Sequence, residues 1–239
     1  MKRQRIRISI KSGEELAGMI LSNPNFSGKR PVILVIHGWT SQMSRYPQRL
    51  APEIDMGYIA VLFDMRGHGQ TGGSLNELSL RDHLNDCLFT YDYMVSLSEV
   101  DISNISVFGS SYGGYLASLL TAERKVHHLV LNVPALYPDE IFNKSKLQRS
   151  QQTSQYRESF HGPEDNRALK AVNNFNDNLL LIQAEKDEVL PGQVMKSYRS
   201  AAQSGYDFEL IKGANHSMTT LSASESRNKI LAEWFRKFK

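Results

Sequence analysis

The sequence predicts an α/β fold in which a mostly parallel central sheet is covered by helices on both faces. Short runs of consecutive apolar residues, typical of strands buried on both faces, alternate along the chain with amphipathic helical segments. Two further strand-like segments precede them and are separated by a turn at Gly13, which predicts an antiparallel hairpin at one edge of the sheet. We expect a single domain over residues 1–239.

The strands are predicted from two patterns. Apolar residues alternate with polar ones over 5–10, and the run 15–21 follows the turn at Gly13. Continuous apolar or β-branched runs predict the remaining strands, which are 32–36, 58–63, 105–108, 129–133, 179–184 and 208–211.

Helices are predicted from capping residues and apolar stripes. Ser79 with Asp82 resembles a capping box at the start of helix 79–96, and Ser222 with Glu225 opens the last helix. The other predicted helices are 44–56, which contains Pro47 and Pro52, 112–123 and 194–202.

The exception to this alternation is residues 135–178, a polar segment rich in Gln, Ser and Asn. A structureless loop of this length is rare, so we expect a cap or lid insertion with helix of its own that lies over the ligand crevice. Its aromatic residues could line a substrate pocket with Trp39 or could form the insertion's own small core; they include Tyr137, Tyr156 and Phe160. Its basic residues could favour an acidic substrate or form a solvated face; they are Lys144, Lys146, Arg149 and Arg157.

Composition argues against several classes of function. The net charge of +3 gives no reason to expect a nucleic-acid partner. The only cysteine, Cys87, excludes an intrachain disulfide and a cysteine-based zinc site, and no metal-ligand cluster is visible. The basic start lacks the apolar segment of a signal peptide, and no apolar run approaches the length of a membrane span. We expect a cytoplasmic monomer or homodimer.

The sequence Gly109-Ser-Ser111-Tyr-Gly113 follows a predicted strand and precedes a predicted helix. Gly-x-Ser-x-Gly in this context predicts a sharp turn with an exposed serine, and only Ser111 has glycine two residues away on both sides. A serine hydroxyl becomes a nucleophile when a base takes its proton and a third group orients that base. The base is predicted to be His216, after the last strand, and the orienting acid Asp187, with Glu185, Glu188, Asp139 and Asp177 as alternatives.

With these residues in place the chain resembles the α/β-hydrolase superfamily over nearly its whole length. The resemblance rests on His37-Gly38, Asp64-Met-Arg66-Gly67-His-Gly69, Gly109 to Gly113, Asp187 with Pro191, and His216. The chain looks most like small serine esterases of the feruloyl-esterase-like or monoglyceride-lipase-like kind. The run from Gly109 to Leu116 also resembles the catalytic domain of prolyl-oligopeptidase-type peptidases, whose large propeller has no counterpart in this sequence.

The resemblance implies a carboxylesterase that cleaves small to medium acyl or aryl esters through Ser111, His216 and Asp187, without a cofactor. The backbone N–H groups of Trp39 and Tyr112 would form the oxyanion hole. A peptidase or amidase with the same three residues is an alternative, and a non-catalytic binding protein is another.

Other polar motifs are interpreted structurally. We expect His37 to brace the oxyanion loop, His68 to support a turn, and Asp64 and Arg66 to tie loops together. The run from Gly67 to Gly72 matches Gly-x-Gly-x-x-Gly, but the second strand and acidic residue of a dinucleotide site do not follow it.

Overall fold

The computed structural model describes residues 1–11, 13–148, 152–203 and 205–239. Its strands are β1 (Lys2–Ser9), β2 (Glu15–Ser22), β3 (Arg30–Ile36), β4 (Ile59–Phe63), β5 (Val100–Ser110), β6 (His128–Asn132), β7 (Asn178–Lys186) and β8 (Asp207–Asn215). Its α-helices are α1 (Ala51–Asp55), α2 (Leu80–Val95), α3 (Tyr112–Thr121), α4 (Gln152–Arg157), α5 (Arg167–Asn173), α6 (Gly192–Ala201) and α7 (Leu221–Arg236).

The eight strands form one sheet in the order β1-β2-β4-β3-β5-β6-β7-β8. β1 pairs antiparallel with β2, and β2 pairs antiparallel with β4, whereas every pairing from β4 through β3 to β8 is parallel. The predicted mostly parallel sheet with an antiparallel hairpin at one edge is therefore confirmed. In this arrangement the carboxyl ends of β3, β5, β6, β7 and β8 meet at one edge.

Apolar residues fill the space on both faces of the sheet. On one face, Leu84 of α2, Leu116 of α3 and Leu169 of α5 belong to a single buried cluster that also includes residues of α6. On the other face, Ile54 of α1 and Trp234 of α7 belong to a second cluster. The sheet therefore carries four of these helices on one face and two on the other, with β3 and β5 buried between the layers.

Two predicted helix boundaries are wrong. The sequence predicts a continuous helix over 44–56, but the structure has a 3-10 turn over Met43–Arg45 followed by the short α1. Prolines interrupt a continuous helix, and Pro52 lies near the start of α1. The N-cap of α7 is Thr220, whose hydroxyl accepts the N–H of Ala223, rather than Ser222. By contrast, the capping box of Ser79 and Asp82 at the start of α2 is present as predicted.

The segment 135–178 contains helix of its own, as expected. It includes α4, α5 and 3-10 turns over Asp139–Ile141, Lys146–Gln148 and Pro163–Asp165. α5 packs on α3 and α6, and its buried side chains join the main core. The cap boundaries 135–178 stay a prediction, and Arg149 lies outside the described residues.

Within the described ranges, none of the helices combines the length and the apolar character that crossing a bilayer requires.

Candidate active site

Ser111 occupies a strained turn between β5 and α3. Its backbone has φ 53° and ψ −114°, a conformation that residues other than glycine rarely adopt. The surrounding backbone holds this conformation: the N–H of Ser111 donates to the carbonyl of Asn132 at 2.9 Å, and its carbonyl accepts from the N–H groups of Gly114 at 2.9 Å and Ala135 at 3.0 Å. The turn therefore presents the Ser111 side chain at the carboxyl edge of the sheet.

Glycine is required on both sides of this serine. A Cβ on Gly109 would lie 2.4 Å from the carbonyl oxygen of Gly113, and a Cβ on Gly113 would lie 2.1 Å from the carbonyl oxygen of Ile36. Real Cβ atoms do not approach backbone this closely, so either substitution would displace the strand or the helix. The sharp turn that the Gly-x-Ser-x-Gly sequence predicts therefore depends on the absence of a side chain at both glycines.

Ser111, His216 and Asp187 form a continuous hydrogen-bonded chain. The Nε2 atom of His216 lies 2.9 Å from the Ser111 hydroxyl oxygen, and its Nδ1 atom lies 2.8 Å from Oδ2 of Asp187. The His216 and Asp187 side chains are only 10% and 13% exposed. The structure thus brings together the three residues that the sequence selects from loops after β5, β7 and β8.

The alternative acids hold other groups. Oδ1 of Asp187 accepts the N–H groups of Val189 at 3.0 Å and Leu190 at 2.8 Å, which fixes the carboxylate for the histidine. Glu188 accepts the backbone N–H of His216 at 3.1 Å, and Glu185 accepts the backbone N–H of Gly213 at 2.7 Å. Asp187 is therefore the acid whose side chain meets the imidazole of His216.

Asp139 and Asp177, the more distant alternatives, form ion pairs with Arg167 at 3.0 Å and Lys125 at 2.7 Å.

Trp39 and Tyr112, the predicted oxyanion donors, lie on either side of Ser111. Tyr112 follows Ser111 as the first residue of α3, and its buried ring packs edge-on against the ring of Trp39, with centroids 5.2 Å apart. Gly38, which precedes Trp39, sits so close to the serine that a Cβ on it would lie 3.6 Å from Cβ of Ser111. Both backbones are therefore near the serine, and their role as donors stays a prediction.

His37 braces the loop that carries Trp39. Its Nδ1 lies 2.8 Å from the carbonyl oxygen of Gly38, and its Nε2 lies 3.2 Å from the backbone nitrogen of Met65. These two contacts assign the proton to Nδ1, because the N–H of Met65 needs an acceptor at Nε2. Burial lowers the pKa of His37 to about 3, so the ring is neutral and keeps this tautomer.

Asp64, Arg66 and His68 join loops near the site, as expected. Asp64 accepts the backbone N–H groups of Met43 at 2.6 Å and Gln70 at 2.9 Å. Arg66 forms an ion pair with buried Asp86 at 2.8 Å, and its carbonyl lies 3.1 Å from Nδ1 of His68.

A pocket of about 200 Å³ opens beside Ser111 and His216, and Trp39 contributes to its wall. The other three predicted pocket residues are not among the described residues that line it. Tyr137 packs against Tyr112 and Tyr115, and the guanidinium of Arg157 lies 4.5 Å from its ring centroid.

Tyr156 and Phe160 also lie outside this pocket. Tyr156 stacks on His161 with ring centroids 3.7 Å apart, and its hydroxyl accepts from the amide of Asn166. Phe160 is 53% exposed.

Sequence reasoning missed three cationic residues in the wall of the pocket, which are Arg45, Arg49 and Arg227. A signal for Arg227 was available. It lies at helical spacing from Ala223, Leu231 and Trp234, on the face of α7 that is buried against the sheet. A charged residue on such a face calls for a local explanation.

Comparison with known families gives one match that covers most of the chain. The sequence model described as "Prolyl oligopeptidase family" matches residues 42–239. An uncharacterized protein of Mycobacterium tuberculosis is 28% identical over 127 residues, which are 53% of this chain and 44% of that protein. The chain therefore spans less than half the length of this curated relative.

Solved structures show the same fold. Est1E from Butyrivibrio proteoclasticus with ferulic acid bound superimposes with a TM-score of 0.80 and 19% identity, over 97% of this chain and 98% of that one. Dipeptidyl peptidase 4 of Porphyromonas gingivalis superimposes with a TM-score of 0.73 and 18% identity, over 98% of this chain but 35% of that one. The architecture is that of the α/β hydrolases.

Proposed function

Within the prolyl oligopeptidase family, to which the chain belongs, we propose that it acts as a serine carboxylesterase that cleaves small to medium acyl or aryl esters. One observation carries the proposal: the hydrogen-bonded chain from Ser111 through His216 to Asp187, with distances of 2.9 and 2.8 Å. These three residues and their roles match those of acyl-transfer enzymes that use a serine nucleophile.

In the proposed reaction, Ser111 Oγ attacks the ester carbonyl while its proton passes to Nε2 of His216. Asp187 accepts the Nδ1–H of the imidazole, which keeps Nε2 free as a base and stabilises the imidazolium that forms. Collapse of the tetrahedral intermediate breaks the bond to the leaving oxygen, which takes the proton from His216. Water then attacks the acyl-enzyme with His216 again as the base, releasing the acid and restoring Ser111.

The backbone N–H groups of Trp39 and Tyr112 are proposed to bind the oxyanion. Support comes from their position: Tyr112 begins α3, whose amino end favours negative charge, and Trp39 follows the glycine that packs against Ser111. Losing one donor of this kind typically costs about 3 kcal/mol of transition-state stabilisation. His37 would keep the Trp39 loop in place through its bond to Gly38.

Two comparisons bear on the choice between esters and amides. Est1E, which binds ferulic acid, corresponds to this chain from end to end, which supports the esterase proposal. A peptidase or amidase is the second candidate, because the family match is to prolyl oligopeptidases.

The test measures kcat/KM for 4-nitrophenyl butyrate and for an alanyl 4-nitroanilide with the same enzyme. Faster turnover of the ester supports the proposal, and faster turnover of the anilide would replace it with the peptidase. Ser111→Ala should abolish hydrolysis and covalent labelling by a fluorophosphonate. Ser110→Ala is the matched control, because it removes the neighbouring hydroxyl and should leave labelling intact.

Unchanged labelling and hydrolysis in Ser111→Ala would show that Ser111 is not the nucleophile. Absence of both in the natural sequence would favour the non-catalytic binding protein.

A further inference from the structure

The pocket beside Ser111 has a cationic wall. Arg45, Arg49 and Arg227 line it together with Ser111 and His216. None of its lining residues, all in the described part of the chain, is an aspartate or a glutamate. The remaining lining groups are mostly hydroxyls, amides and backbone. A cavity of this kind suits a negatively charged group rather than an apolar chain.

Arg227 is the most unusual member of this wall. Only 3% of the residue is exposed, and its guanidinium donates to Oδ1 of Asn228 at 2.9 and 3.2 Å and makes a long contact with the sulfur of Met218. Among the described residues no carboxylate lies within ion-pair distance of it. Buried charges in proteins are normally paired, because desolvation of an isolated ion is costly.

A second guanidinium adds to this cost. Arg49 lies close enough to Arg227 for its charge, after burial, to lower the pKa of Arg227, which falls to about 10. Arg227 is therefore still protonated at neutral pH, and two like charges face the same cavity. Arg49 is also held by the ring of Tyr46, with its guanidinium carbon 5.0 Å from the ring centroid. The carboxylate that would normally offset such a pair is not supplied by the described part of the chain.

The rest of the environment is also positive. Arg45 contributes a third guanidinium from the 3-10 turn before α1. Lys146, from the segment 135–178, places its ammonium 5.5 Å from the centroid of the ring of Trp39, which also lines the pocket. The field at the serine therefore favours an anionic substrate over a neutral one.

We propose that Arg227, Arg49 and Arg45 form a binding subsite for an oxyanion group of the substrate, a carboxylate or a phosphate, directly beside Ser111. The substrate class becomes esters that carry such a group within a short chain of the scissile bond. The guanidinium of Arg227 is the central donor, and Arg49 and Arg45 close the subsite toward solvent. This inference rests on the proposed acyl-transfer function for its kinetic test, but its binding test does not.

The kinetic test compares mono-4-nitrophenyl adipate with 4-nitrophenyl hexanoate, which have equal chain lengths and differ by a terminal carboxylate. A second pair places the carboxylate on the leaving group: 4-carboxyphenyl hexanoate against phenyl hexanoate, with 4-acetylphenyl hexanoate correcting for leaving-group reactivity. We expect kcat/KM for at least one charged ester to exceed that of its neutral partner by about tenfold or more. Arg227→Gln and Arg49→Gln should each reduce that ratio toward one.

Arg236→Gln is the matched control. It removes the same charge from the exposed end of the same helix, and the ratio should not change. Arg49→Gln also keeps the test decisive if Arg227→Gln does not fold, because Arg49 is only partly buried. Equal kcat/KM for both members of both pairs in the natural sequence, together with no binding of phosphate in the titration below, would overturn the inference while leaving the esterase proposal standing.

The binding test uses the Ser111→Ala variant, so it does not depend on hydrolysis. Glutarate and inorganic phosphate are titrated separately by calorimetry at low ionic strength, with and without the Arg49→Gln substitution. Binding of glutarate assigns the subsite to a carboxylate of the substrate, and binding of phosphate alone assigns it to a phosphate group carried by the ester. In both cases Arg49→Gln should weaken binding about tenfold. Binding of neither anion would overturn the inference.

Discussion

Glu188 accepts a hydrogen bond from the backbone N–H of His216 at 3.1 Å, while its neighbour Asp187 accepts one from the imidazole of the same residue at 2.8 Å. Two consecutive acids thus hold one histidine, the first through its ring and the second through its backbone. The side chain of Glu188 positions the loop after β8, and that of Asp187 positions the ring.

Removing the acid that holds the backbone should have a modest effect. Glu188→Ala is expected to lower kcat about fivefold, because one exposed hydrogen bond to the loop is lost. Glu188→Gln should restore most of the rate, since its amide oxygen can accept the same N–H. Steady-state kinetics on 4-nitrophenyl butyrate tests this, and a rate for Glu188→Gln as low as that of the alanine variant would rule out a positioning role through this bond.

Removing the acid that holds the ring should have a far larger effect. Asp187→Asn is expected to lower kcat by about 10⁴-fold, because an amide can donate to Nδ1 and stabilise the wrong tautomer of His216. Asp177→Asn, which breaks an ion pair with Lys125 outside the site, is the control and should retain activity. A loss of less than tenfold in Asp187→Asn would assign the orienting role to another group.

Gly113→Ala should disrupt folding of the turn. Its Cβ would lie 2.1 Å from the carbonyl oxygen of Ile36, so β3 and α3 would have to separate, at a cost of about 3 kcal/mol or more. Gly192→Ala is the matched control, because a Cβ there meets nothing within 4 Å. Urea unfolding of both variants measures the difference, and equal stabilities would contradict the steric argument.

Glu53 should make stability fall as the pH rises. It is fully buried in α1, neither carboxyl oxygen has a hydrogen-bond partner among the described residues, and burial raises its pKa from 4.5 to about 7. Between these two values the folded state holds a proton that the unfolded state has lost, so the free energy of unfolding decreases with pH across this window. The stability that Glu53 loses across this window totals about 3 kcal/mol, and the loss is complete above about pH 7.

Glu53→Gln should remove this dependence. The free energy of unfolding, measured with urea at about pH 5 and pH 8, should fall less in the variant than in the natural sequence by about 2.5 kcal/mol. Tyr58, whose pKa is also raised by burial and by Glu53, does not titrate in this range. An unchanged pH dependence in Glu53→Gln would show that Glu53 is already ionised in the folded state.

Much of this molecule could be predicted because its signals are local. Buried parallel strands are continuous apolar runs, and the turn at Ser111 needs glycine at fixed positions, so both can be recognised in a single stretch of sequence. The continuous helix predicted over 44–56 is wrong because Pro47 and Pro52 interrupt it, and Pro52 lies at the start of the short α1.

The parts that could not be predicted depend on contacts between distant segments. Nothing in the sequence around Glu188 indicates that its carboxylate meets the backbone of residue 216. The cationic pocket combines Arg45 and Arg49 from the segment after β3 with Arg227 from the last helix, and only the position of Arg227 on an apolar face gave a sign of it. The placement of Tyr156 and Phe160 depends on how the segment 135–178 folds over the sheet.

The order of the strands has a consequence for biosynthesis. Ser111 follows β5 and His216 follows β8, with β6 and β7 between them in the sheet, so their hydrogen bond requires three strand pairings in sequence. A nascent chain emerging from the ribosome carries the serine long before the histidine can reach it. Reactivity at Ser111 therefore arises only when the far edge strand β8 docks, and an ester assay on a cell-free translation reaction reports that docking rather than the synthesis of the serine.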